Sequence, residues 1–271
     1  MRGGAEPVRL EREGAVLCIR MAHPPLNEIG TTMLAALESV VQHLHDGAGG
    51  ARAAVLESTL ARGFCAGADL RELYFGLQER RKAGVPGASI RGEIGAFLER
   101  VQRVMDGLQT SPVPVIAAVH GFVFGGGFEL ALACDAIVAD RTARFAFPEL
   151  RLGLVPGFGG IPRLRRALGG AVVRDVVLTG RSVSAARMHA LGLVAELVGP
   201  GEQGRAARAL AAHLGRLDPE ASRRARALLA PVPEAELRAE REVFLDLVER
   251  PAVQAALERF VTRTDAMTWL P

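Results

Sequence analysis

The chain has 271 residues, of which 49% are hydrophobic and 23% are charged, and its formal net charge is +3 at pH 7. This size and apolar content allow a large buried core and exclude a globally disordered chain. Arginine supplies all but one of the 33 basic residues, and the arginines are dispersed, which argues against a nucleic-acid-binding surface.

Hydrophobic periodicity and turn residues predict the elements of the first half of the chain. In chain order they are strands at 8–11 and 15–20, a helix at 31–45, a strand at 53–57, helices at 70–81 and 90–108, a strand at 112–119, a helix at 127–134, and strands at 136–139 and 144–147. The order strand, strand, helix recurs, although the repeats share little sequence.

The composition changes at Gly199-Pro200, after which the sequence is rich in Ala, Leu, Arg and Glu and has only helix patterns. We therefore predict two regions, a core at 1–199 and a C-terminal helical region at 200–271. About 70 residues are few for an independent fold, so the second region is expected to pack on the core or on a neighbouring subunit.

The three cysteines, Cys18, Cys65 and Cys134, have unrelated spacings that predict neither a disulfide framework nor a zinc site. The N-terminus carries acidic residues and no apolar signal core, and the most apolar stretch is interrupted by Glu129 and Asp135. We expect a cytoplasmic protein with no membrane span, no nucleic-acid partner, no metal and no redox cofactor.

The first motif that suggests a ligand site is FCAGADL at 64–70, which follows a strand and opens a helix. Small side chains let a ligand approach the backbone, and N–H groups at a helix start lack intrahelical partners. A tight strand-to-helix turn without a ligand explains the same pattern, so this motif alone is a weak signal.

The second motif, HGFVFGGGFEL at 120–130, places three glycines before a helix and Glu129 in its first turn. Such glycines cost chain entropy, which is understandable where the backbone must meet a ligand; close packing of two helices is the alternative. The helix dipole favours the charged form of Glu129, whereas apolar neighbours oppose it.

The third motif places Glu149 between FAFP at 145–148 and the loop GLVPGFGG at 153–160. A solvated surface carboxylate is the alternative interpretation. Two carboxyl groups in apolar segments favour acid/base chemistry, because close like charges push their titrations apart.

Together these motifs resemble the crotonase superfamily, also called the enoyl-CoA hydratase/isomerase family. The matching strings are 64–70, 121–135, 147–164 and 179–194, so the resemblance runs over nearly the whole chain. It implies an α/β fold in which ββα units wind into a spiral, followed by a C-terminal α-helical region used in trimer formation. It also implies an acyl-CoA thioester substrate, no separate cofactor, and a homotrimer or a dimer of trimers.

The resemblance also assigns site residues. It implies that the backbone N–H groups of Ala66 and Gly126 form an oxyanion hole and that Glu129 and Glu149 are the catalytic acid/base pair. It places Gly157 beside the catalytic water. The residues it implies for substrate binding are Ala66, Gly67, Ala68, Asp69, Leu70 and Gly157.

We therefore expect a hydro-lyase of fatty acid metabolism, an enoyl-CoA hydratase that reversibly adds water to a 2-enoyl-CoA to give a 3-hydroxyacyl-CoA. Our hypothesis is that Glu129 activates the water that attacks the β-carbon and that Glu149 delivers the α-proton. Three alternatives remain: a dehydratase acting on an acyl-carrier-protein thioester in polyketide biosynthesis, an enoyl-CoA isomerase, and a non-catalytic RNA-binding relative.

Two departures from the family pattern leave the acyl group open. Ile161-Pro162 stand where the family often has Thr-Gln, and six phenylalanines fall within 122–158. These phenylalanines either pack in the core or reshape an acyl pocket: Phe122, Phe124, Phe128, Phe145, Phe147 and Phe158.

Overall fold

The computed structural model describes residues 6–229 and 231–262. Its strands are β1 (Val8–Glu13), β2 (Val16–Met21), β3 (Ala53–Ser58), β4 (Gly63–Cys65), β5 (Val115–Val119), β6 (Phe122–Phe124), β7 (Ala136–Asp140), β8 (Arg144–Ala146), β9 (Val183–Ser184) and β10 (Glu196–Val198). Its α-helices are α1 (Thr31–His45), α2 (Leu70–Lys82), α3 (Gly87–Gln109), α4 (Gly126–Leu132), α5 (Gly160–Thr179), α6 (Ala185–Ala190), α7 (Gln203–Leu214), α8 (Pro219–Leu229), α9 (Glu234–Val248) and α10 (Pro251–Thr262).

The strands form two sheets, one of six strands in the order β1-β2-β3-β5-β7-β10 and one of four in the order β4-β6-β8-β9. Three successive strand pairs, β3/β4, β5/β6 and β7/β8, each place the first strand in the large sheet and the second in the small one. Helical structure follows each pair. This repeat confirms the α/β spiral of ββα units that the resemblance implies.

Both faces of the large sheet are covered, as is usual for parallel strands. Every residue of β5 is buried, and alternate side chains point to opposite faces. Val55 and Ile116 face the alanines of α7, whereas Leu56 and Ala117 belong to the main core with α1 and α3. The small side chains Ala206, Ala207 and Ala211 line the buried face of α7.

The segment after residue 200 shares the core of the preceding region. Helix α7 lies on the large sheet, and α9 and α10 contribute Phe244, Val248, Val253 and Leu257 to the main core. Within the described residues, α8 has no buried side chain. The predicted boundary at 199 follows β10 directly; that boundary itself stays a prediction.

The element predictions differ from the structure at short strands and over 148–199, where no helix was predicted and α5 and α6 form. Helix α1 has the predicted bounds, while α3 begins at Gly87, three residues earlier than predicted. Strands β4, β6, β9 and β10 have only two or three residues, too few to show a two-residue alternation, and were not predicted. They form through pairing with other strands, which a local pattern does not reveal.

Candidate active site

The candidate site lies at the carboxyl ends of three adjacent strands of the small sheet. Strands β4, β6 and β8 run parallel to one another. The predicted motifs follow these strands: residues 66–70 follow β4, Gly125 and Gly126 follow β6, and Glu149 follows β8. The parallel arrangement therefore brings the three motifs together, although they are about 80 residues apart at the extremes.

A cavity of about 280 Å³ opens at this edge of the sheet. Glu129, Glu149 and the backbone of Ala68 and Gly126 line it. The rest of its wall is mostly apolar and comes from α2, α3, α9, α10 and the loop after Glu149: Leu73, Leu77, Ile90, Ile94, Phe97, Leu98, Leu152, Leu154, Val155, Phe158, Phe244 and Phe260.

Glu129 lies in the first turn of α4 and is 1% exposed. Its Oε1 accepts hydrogen bonds from the N–H groups of Phe158 (2.8 Å) and Gly160 (2.7 Å). No described residue donates to its Oε2. Burial raises the pKa of Glu129 and the nearby Glu149 raises it further, whereas the two N–H donors lower it. One oxygen is therefore anchored and the other remains for a ligand.

Glu149 begins the 3₁₀ turn Glu149–Leu152, and its environment is different. Its Oε2 is buried without a hydrogen-bond partner among the described residues. Burial raises the pKa of Glu149 to about 8. Gly125 makes room for this side chain, because a Cβ at that position would lie 2.4 Å from Glu149 Oε1, a distance too short for real atoms.

These environments favour different protonation states for the two carboxyls. Two N–H donors stabilise the ionised form of Glu129. Glu149 has a buried Oε2 without a donor among the described residues, and the backbone donor to its carboxylate is its own amide, so burial favours its neutral form. Because two close carboxylates oppose double ionisation, we expect one shared proton that resides mainly on Glu149.

The structure contradicts the prediction that Ala66 is an oxyanion donor. The Ala66 N–H donates to the Leu26 carbonyl oxygen at 3.1 Å and is therefore already engaged. Gly67, with φ of +111°, then redirects the chain. The next amide, that of Ala68, donates no hydrogen bond to any described residue.

The Ala68 and Gly126 amides lie close together at the cavity wall. A Cβ built on Gly126 would be 3.4 Å from the Ala68 nitrogen. The Gly126 N–H opens α4, where the first amides have no intrahelical acceptor. Two adjacent free N–H groups form a site for an anionic oxygen. The amide that lies open beside Gly126 is therefore that of Ala68, whereas that of Ala66 is engaged.

All six residues predicted for substrate binding line the cavity. The Asp69 carboxylate accepts the Glu72 N–H at 2.8 Å and so caps α2. The Gly157 carbonyl accepts the Gln102 side-chain amide at 3.0 Å. These two residues shape the wall through contacts inside the protein, while Leu70 contributes an apolar surface.

Of the three consecutive glycines, one allows close packing and another allows ligand access, so both interpretations of this motif apply. A Cβ on Gly127 would lie 2.2 Å from the Cys65 carbonyl oxygen, so this glycine allows α4 to pack against β4. A Cβ on Gly126 would lie 2.7 Å from the Phe158 ring, so that glycine keeps the cavity wall open. Close packing and ligand access are thus assigned to neighbouring residues.

The phenylalanine cluster is mostly core. Phe128 stacks on Phe147 with ring centroids 4.8 Å apart and meets the edge of Phe145 at 5.1 Å. Of the six, Phe158 alone lines the cavity. The sequence reasoning missed the other cavity phenylalanines, Phe97, Phe244 and Phe260, because they lie on distant helices that only the fold brings together.

The sequence reasoning also missed Glu240, a third buried carboxylate. It lies on α9 and is 7% exposed. Its Oε1 accepts the Gly159 N–H at 2.7 Å and its Oε2 accepts the Ile161 N–H at 3.0 Å. In sequence, Glu240 belongs to an ordinary charged helix pattern, so no local signal distinguishes it.

Among residues 6–229 and 231–262, no cluster of three or more His, Cys, Asp or Glu side chains is arranged to hold a metal ion. No helix in those ranges is both long and apolar enough to cross a membrane.

Comparison with protein families shows similarity along almost the whole chain. The model of the family described as enoyl-CoA hydratase/isomerase matches residues 11–268. A solved structure of an enoyl-CoA hydratase from Bacillus anthracis superposes with a TM-score of 0.73 and 26% identity, covering 96% of this chain and 92% of that one.

Individual relatives match over shorter stretches. The chain is 34% identical over 197 residues to the short-chain-enoyl-CoA hydratase of Clostridium acetobutylicum, covering 72% of this chain and 70% of that protein. It is 42% identical over 144 residues to human enoyl-CoA hydratase domain-containing protein 2, mitochondrial, covering 53% of this chain and 45% of the human protein. The chain thus spans about half the length of the mammalian relatives it matches.

Proposed function

The chain belongs to the enoyl-CoA hydratase/isomerase family, and on that premise we propose that it is an enoyl-CoA hydratase, which reversibly adds water to a 2-enoyl-CoA to give a 3-hydroxyacyl-CoA. The observation that carries this proposal is a pair of glutamates in one cavity wall, of which Glu129 is buried and Glu149 is partly buried with one buried carboxylate oxygen. Glu129 is anchored through one oxygen, and Glu149 has a buried oxygen without a partner.

In the proposed reaction, the thioester carbonyl oxygen accepts hydrogen bonds from the Ala68 and Gly126 amides. Negative charge develops on this oxygen as the β-carbon is attacked, and fixed N–H dipoles stabilise it without reorganisation. Removal of one such donor typically slows a reaction by about 10²–10³-fold. Both donors are main-chain groups, so their geometry depends on the turns after β4 and β6.

Glu129 and Glu149 complete the addition of water. The free oxygen of Glu129 takes a proton from the water as its oxygen bonds to the β-carbon. Glu149 gives its proton to the α-carbon as the enolate collapses. One water is added, and the proton of the carboxyl pair moves from Glu149 to Glu129; transfer back between the two carboxyls restores the starting state. Dehydration follows the same steps in reverse.

The presence of two carboxyls supports hydration over double-bond isomerisation. An isomerase needs one group that removes a proton and returns it, whereas addition of water needs both a base and an acid. Glu129 and Glu149 line the same cavity in different hydrogen-bond environments, since Glu129 Oε1 accepts two loop amides and Glu149 Oε2 is buried without a partner among the described residues. This difference is what a base and an acid require.

A kinetic assay tests the proposal. Loss of the conjugated-thioester absorbance is followed with a four-carbon 2-enoyl-CoA. Glu129→Gln and Glu149→Gln should each lower kcat by about 10²–10⁴-fold, the usual contribution of a general acid or base. Glu93→Gln is the matched control, since Glu93 also lines the cavity but pairs with Arg80 at 2.9 Å. Near-wild-type hydration in either active-site variant contradicts its assigned role.

Two added substrates distinguish the alternatives. A 3-enoyl-CoA reports isomerisation, and the same acyl group on an acyl-carrier protein reports the polyketide alternative. The hydratase proposal expects the highest kcat/KM with the 2-enoyl-CoA and strong competition by free coenzyme A. Weak competition together with faster turnover of the carrier-protein thioester would instead favour the dehydratase.

We also propose that the acyl group is apolar, because the cavity wall between α2 and α3 is built from leucine, isoleucine and phenylalanine side chains. Burial of apolar area there contributes roughly 0.8 kcal/mol per methylene group. Chains longer than four carbons are therefore expected to bind more tightly.

We further propose a homotrimer or a dimer of trimers. Support comes from α8, where Leu228 and Leu229 are 84% and 83% exposed on a helix that buries none of its described side chains within the chain. Light scattering should give a mass of about three or six times 28.8 kDa; a monomer would contradict this. A cytoplasmic location stays a prediction.

A further inference from the structure

The loop that anchors Glu129 is shared with Glu240. Four consecutive backbone N–H groups, at residues 158–161, alternate between two carboxylates. Those of Phe158 and Gly160 bond Glu129, at 2.8 and 2.7 Å. Those of Gly159 and Ile161 bond Glu240, at 2.7 and 3.0 Å. A shift of this loop that weakens one set of bonds therefore disturbs the other.

Glu240 is well placed to hold this loop but not to touch a ligand. Both of its carboxylate oxygens are used by the loop amides, and it is not among the residues that line the cavity. Its helix is tied to the same loop a second time, because the Gln102 side-chain amide donates to the carbonyls of Gly157 (3.0 Å) and Leu237 (3.3 Å).

The charges around Glu240 come from several elements. Glu129 lies on α4 and Glu149 in the turn after β8, and each of the three glutamates raises the pKa of another. Arg163 of α5 is the cation that lowers the pKa of both Glu129 and Glu240, and it also pairs with Asp106 of α3 at 2.5 Å. The neighbouring arginines are engaged elsewhere: Arg241 with Glu99, and Arg165 and Arg166 with Glu236.

Arg163 binds carbonyl groups on the other side of the loop. Its guanidinium is buried and donates to the carbonyls of Phe158 (3.2 Å) and Gly159 (3.4 Å). The N–H side of the loop thus faces two carboxylates while two of its carbonyls face a cation. Each polar group of this buried loop has a partner, which fixes its conformation.

We propose that Glu240 is a positioning residue: by accepting the Gly159 and Ile161 amides, it fixes the loop whose intervening amides hold Glu129. The proposal rests on the hydratase function proposed above. It makes α9, a helix of the C-terminal region, part of the active-site framework. A misplacement of about 1 Å at a reacting group can cost about 10²-fold in rate.

The pH profile of activity distinguishes this role from structural support alone, because the charge of Glu240 also acts on the ionisation of Glu129. The charges of Glu129 and Glu240 repel each other, so the charge of Glu240 opposes ionisation of Glu129. Hydration needs ionised Glu129, and activity therefore rises with pH along an acid limb. When Glu240 is neutralised, Glu129 ionises more readily and the acid limb moves to lower pH.

The test compares the full-length wild type with Glu240→Gln, Glu240→Asp and the control Glu236→Gln. Glu236 lies one turn earlier on α9 and pairs with Arg165 and Arg166 at the surface. Glu240→Gln should lower kcat at least tenfold, leave KM within about threefold, and move the acid limb by roughly one pH unit to lower pH. Glu236→Gln should match the wild type in all three measurements.

Glu240→Asp separates geometry from charge. It keeps the charge but is one methylene shorter, so the loop amides that favour ionised Glu129 shift; kcat should fall and the acid limb should not move to lower pH. If Glu240→Gln does not fold, Glu240→Asp carries the test, and a wild-type kcat in that variant overturns the proposal. A folded Glu240→Gln with a wild-type kcat, or with a lower kcat and an unmoved acid limb, overturns it as well.

A measurement without turnover distinguishes this inference from the hydratase proposal. The carboxyl carbon of Glu129 is followed by NMR against pH in protein labelled with ¹³C-glutamate, with Glu129→Gln identifying the signal. Glu240→Gln should lower the titration midpoint of Glu129 whether or not the protein hydrates an enoyl-CoA. An unchanged midpoint overturns the positioning role, whereas absent hydration in the wild type overturns the function alone.

Discussion

Glu129 and Glu149 are the same residue type, and their surroundings make them different. Glu129 accepts two main-chain amides, and Glu149 keeps a buried oxygen without a partner. The first environment favours a carboxylate and the second a neutral acid. A base and an acid therefore arise from one side-chain chemistry, and the difference lies in which residue the loop at 158–160 approaches.

The pH dependence of kcat/KM should be bell-shaped. Because the pKa of Glu149 is about 8, its proton is lost as pH rises through that value, and activity falls on the alkaline side. Activity also falls at lower pH as Glu129 gains a proton. Steady-state assays from pH 5 to 10 measure both limbs; a rate that stays constant from pH 7 to 10 would contradict the acid role of Glu149.

The structure leaves the amide of Ala68 open instead of the predicted amide of Ala66, and residue type alone does not decide between the two. Both residues are small, and both lie in the motif at 64–70. The Leu26 carbonyl engages the Ala66 amide, and the positive φ of Gly67 directs the next amide elsewhere. A backbone donor is available only when the fold provides no acceptor for it.

At the scale of elements, the contact between α4 and β4 sets the spacing of the site. A Cβ at Gly127 would lie 2.2 Å from the Cys65 carbonyl oxygen, and this neighbour is backbone rather than a flexible side chain. Helix α4 carries both the Gly126 amide and Glu129. Any movement of the helix away from β4 therefore displaces two functional groups at once.

Gly127→Ala tests this packing against Gly92→Ala on α3, where a Cβ meets no atom within 4 Å. Gly127→Ala should lower the free energy of unfolding by about 1–3 kcal/mol or more, because overpacking forces the backbone to move. Gly92→Ala should raise it by roughly 0.5–1 kcal/mol, since alanine favours a helix over glycine. Urea denaturation measures both, and equal stabilities of the two variants would contradict the packing argument.

Helices α2 and α3 form the apolar wall of the cavity, and substitutions of Ile94 test whether this wall binds the acyl chain. Ile94 lines the cavity and is 8% exposed. Ile94→Phe should lower kcat/KM for eight- to ten-carbon 2-enoyl-CoA substrates about tenfold or more relative to the four-carbon substrate, because the added ring fills the acyl space. Ile94→Val is the matched control, since it removes one methyl group and leaves that space open.

The readout for Ile94 is the ratio of kcat/KM between long and short substrates, which cancels any general loss of active enzyme. The ratio should fall in Ile94→Phe and stay within about threefold of the wild type in Ile94→Val. An equal loss for all chain lengths would place the acyl chain elsewhere.

At the scale of the whole molecule, the buried carboxyls lower the free energy of unfolding as the pH rises, although the proposed function needs these groups. Burial raises the pKa of Glu129, Glu149 and Glu240 above the ordinary value of 4.5. The folded protein then holds protons that the unfolded chain releases, so these groups make stability fall as pH rises. The proposed function requires Glu129 and Glu149 in a poorly solvated cavity, where fixed dipoles act more strongly.

Glu149→Gln should reveal this cost. Between about pH 4.5 and 8, the wild-type free energy of unfolding contains a contribution from Glu149 that falls by up to about 1.4 kcal/mol per pH unit, and it is constant above pH 8. Glutamine does not titrate, so the stability of the variant relative to the wild type should increase across this window. Denaturation curves at pH 5, 6.5 and 8 measure the difference; a constant difference would mean that Glu149 titrates near its ordinary pKa.

The local patterns of the sequence determined the long elements of the first half of the chain and singled out the proposed acid/base pair. Helix α1, the long strands of the large sheet and the strand-strand-helix order follow from apolar periods of 3.6 and 2, which neighbouring residues set. Glu129 and Glu149 stood out because carboxyls are unusual in apolar, glycine-rich segments.

Only the tertiary structure decided which groups around that pair are free and which are engaged. It paired Ala66 with Leu26, left the Ala68 amide open, and brought Glu240 from α9 to the loop beside Glu129. It also assembled the cavity wall from Phe97, Phe244 and Phe260. These outcomes depend on contacts between residues far apart in the chain, because only folding decides which partner, if any, comes within reach of an amide or a carboxylate.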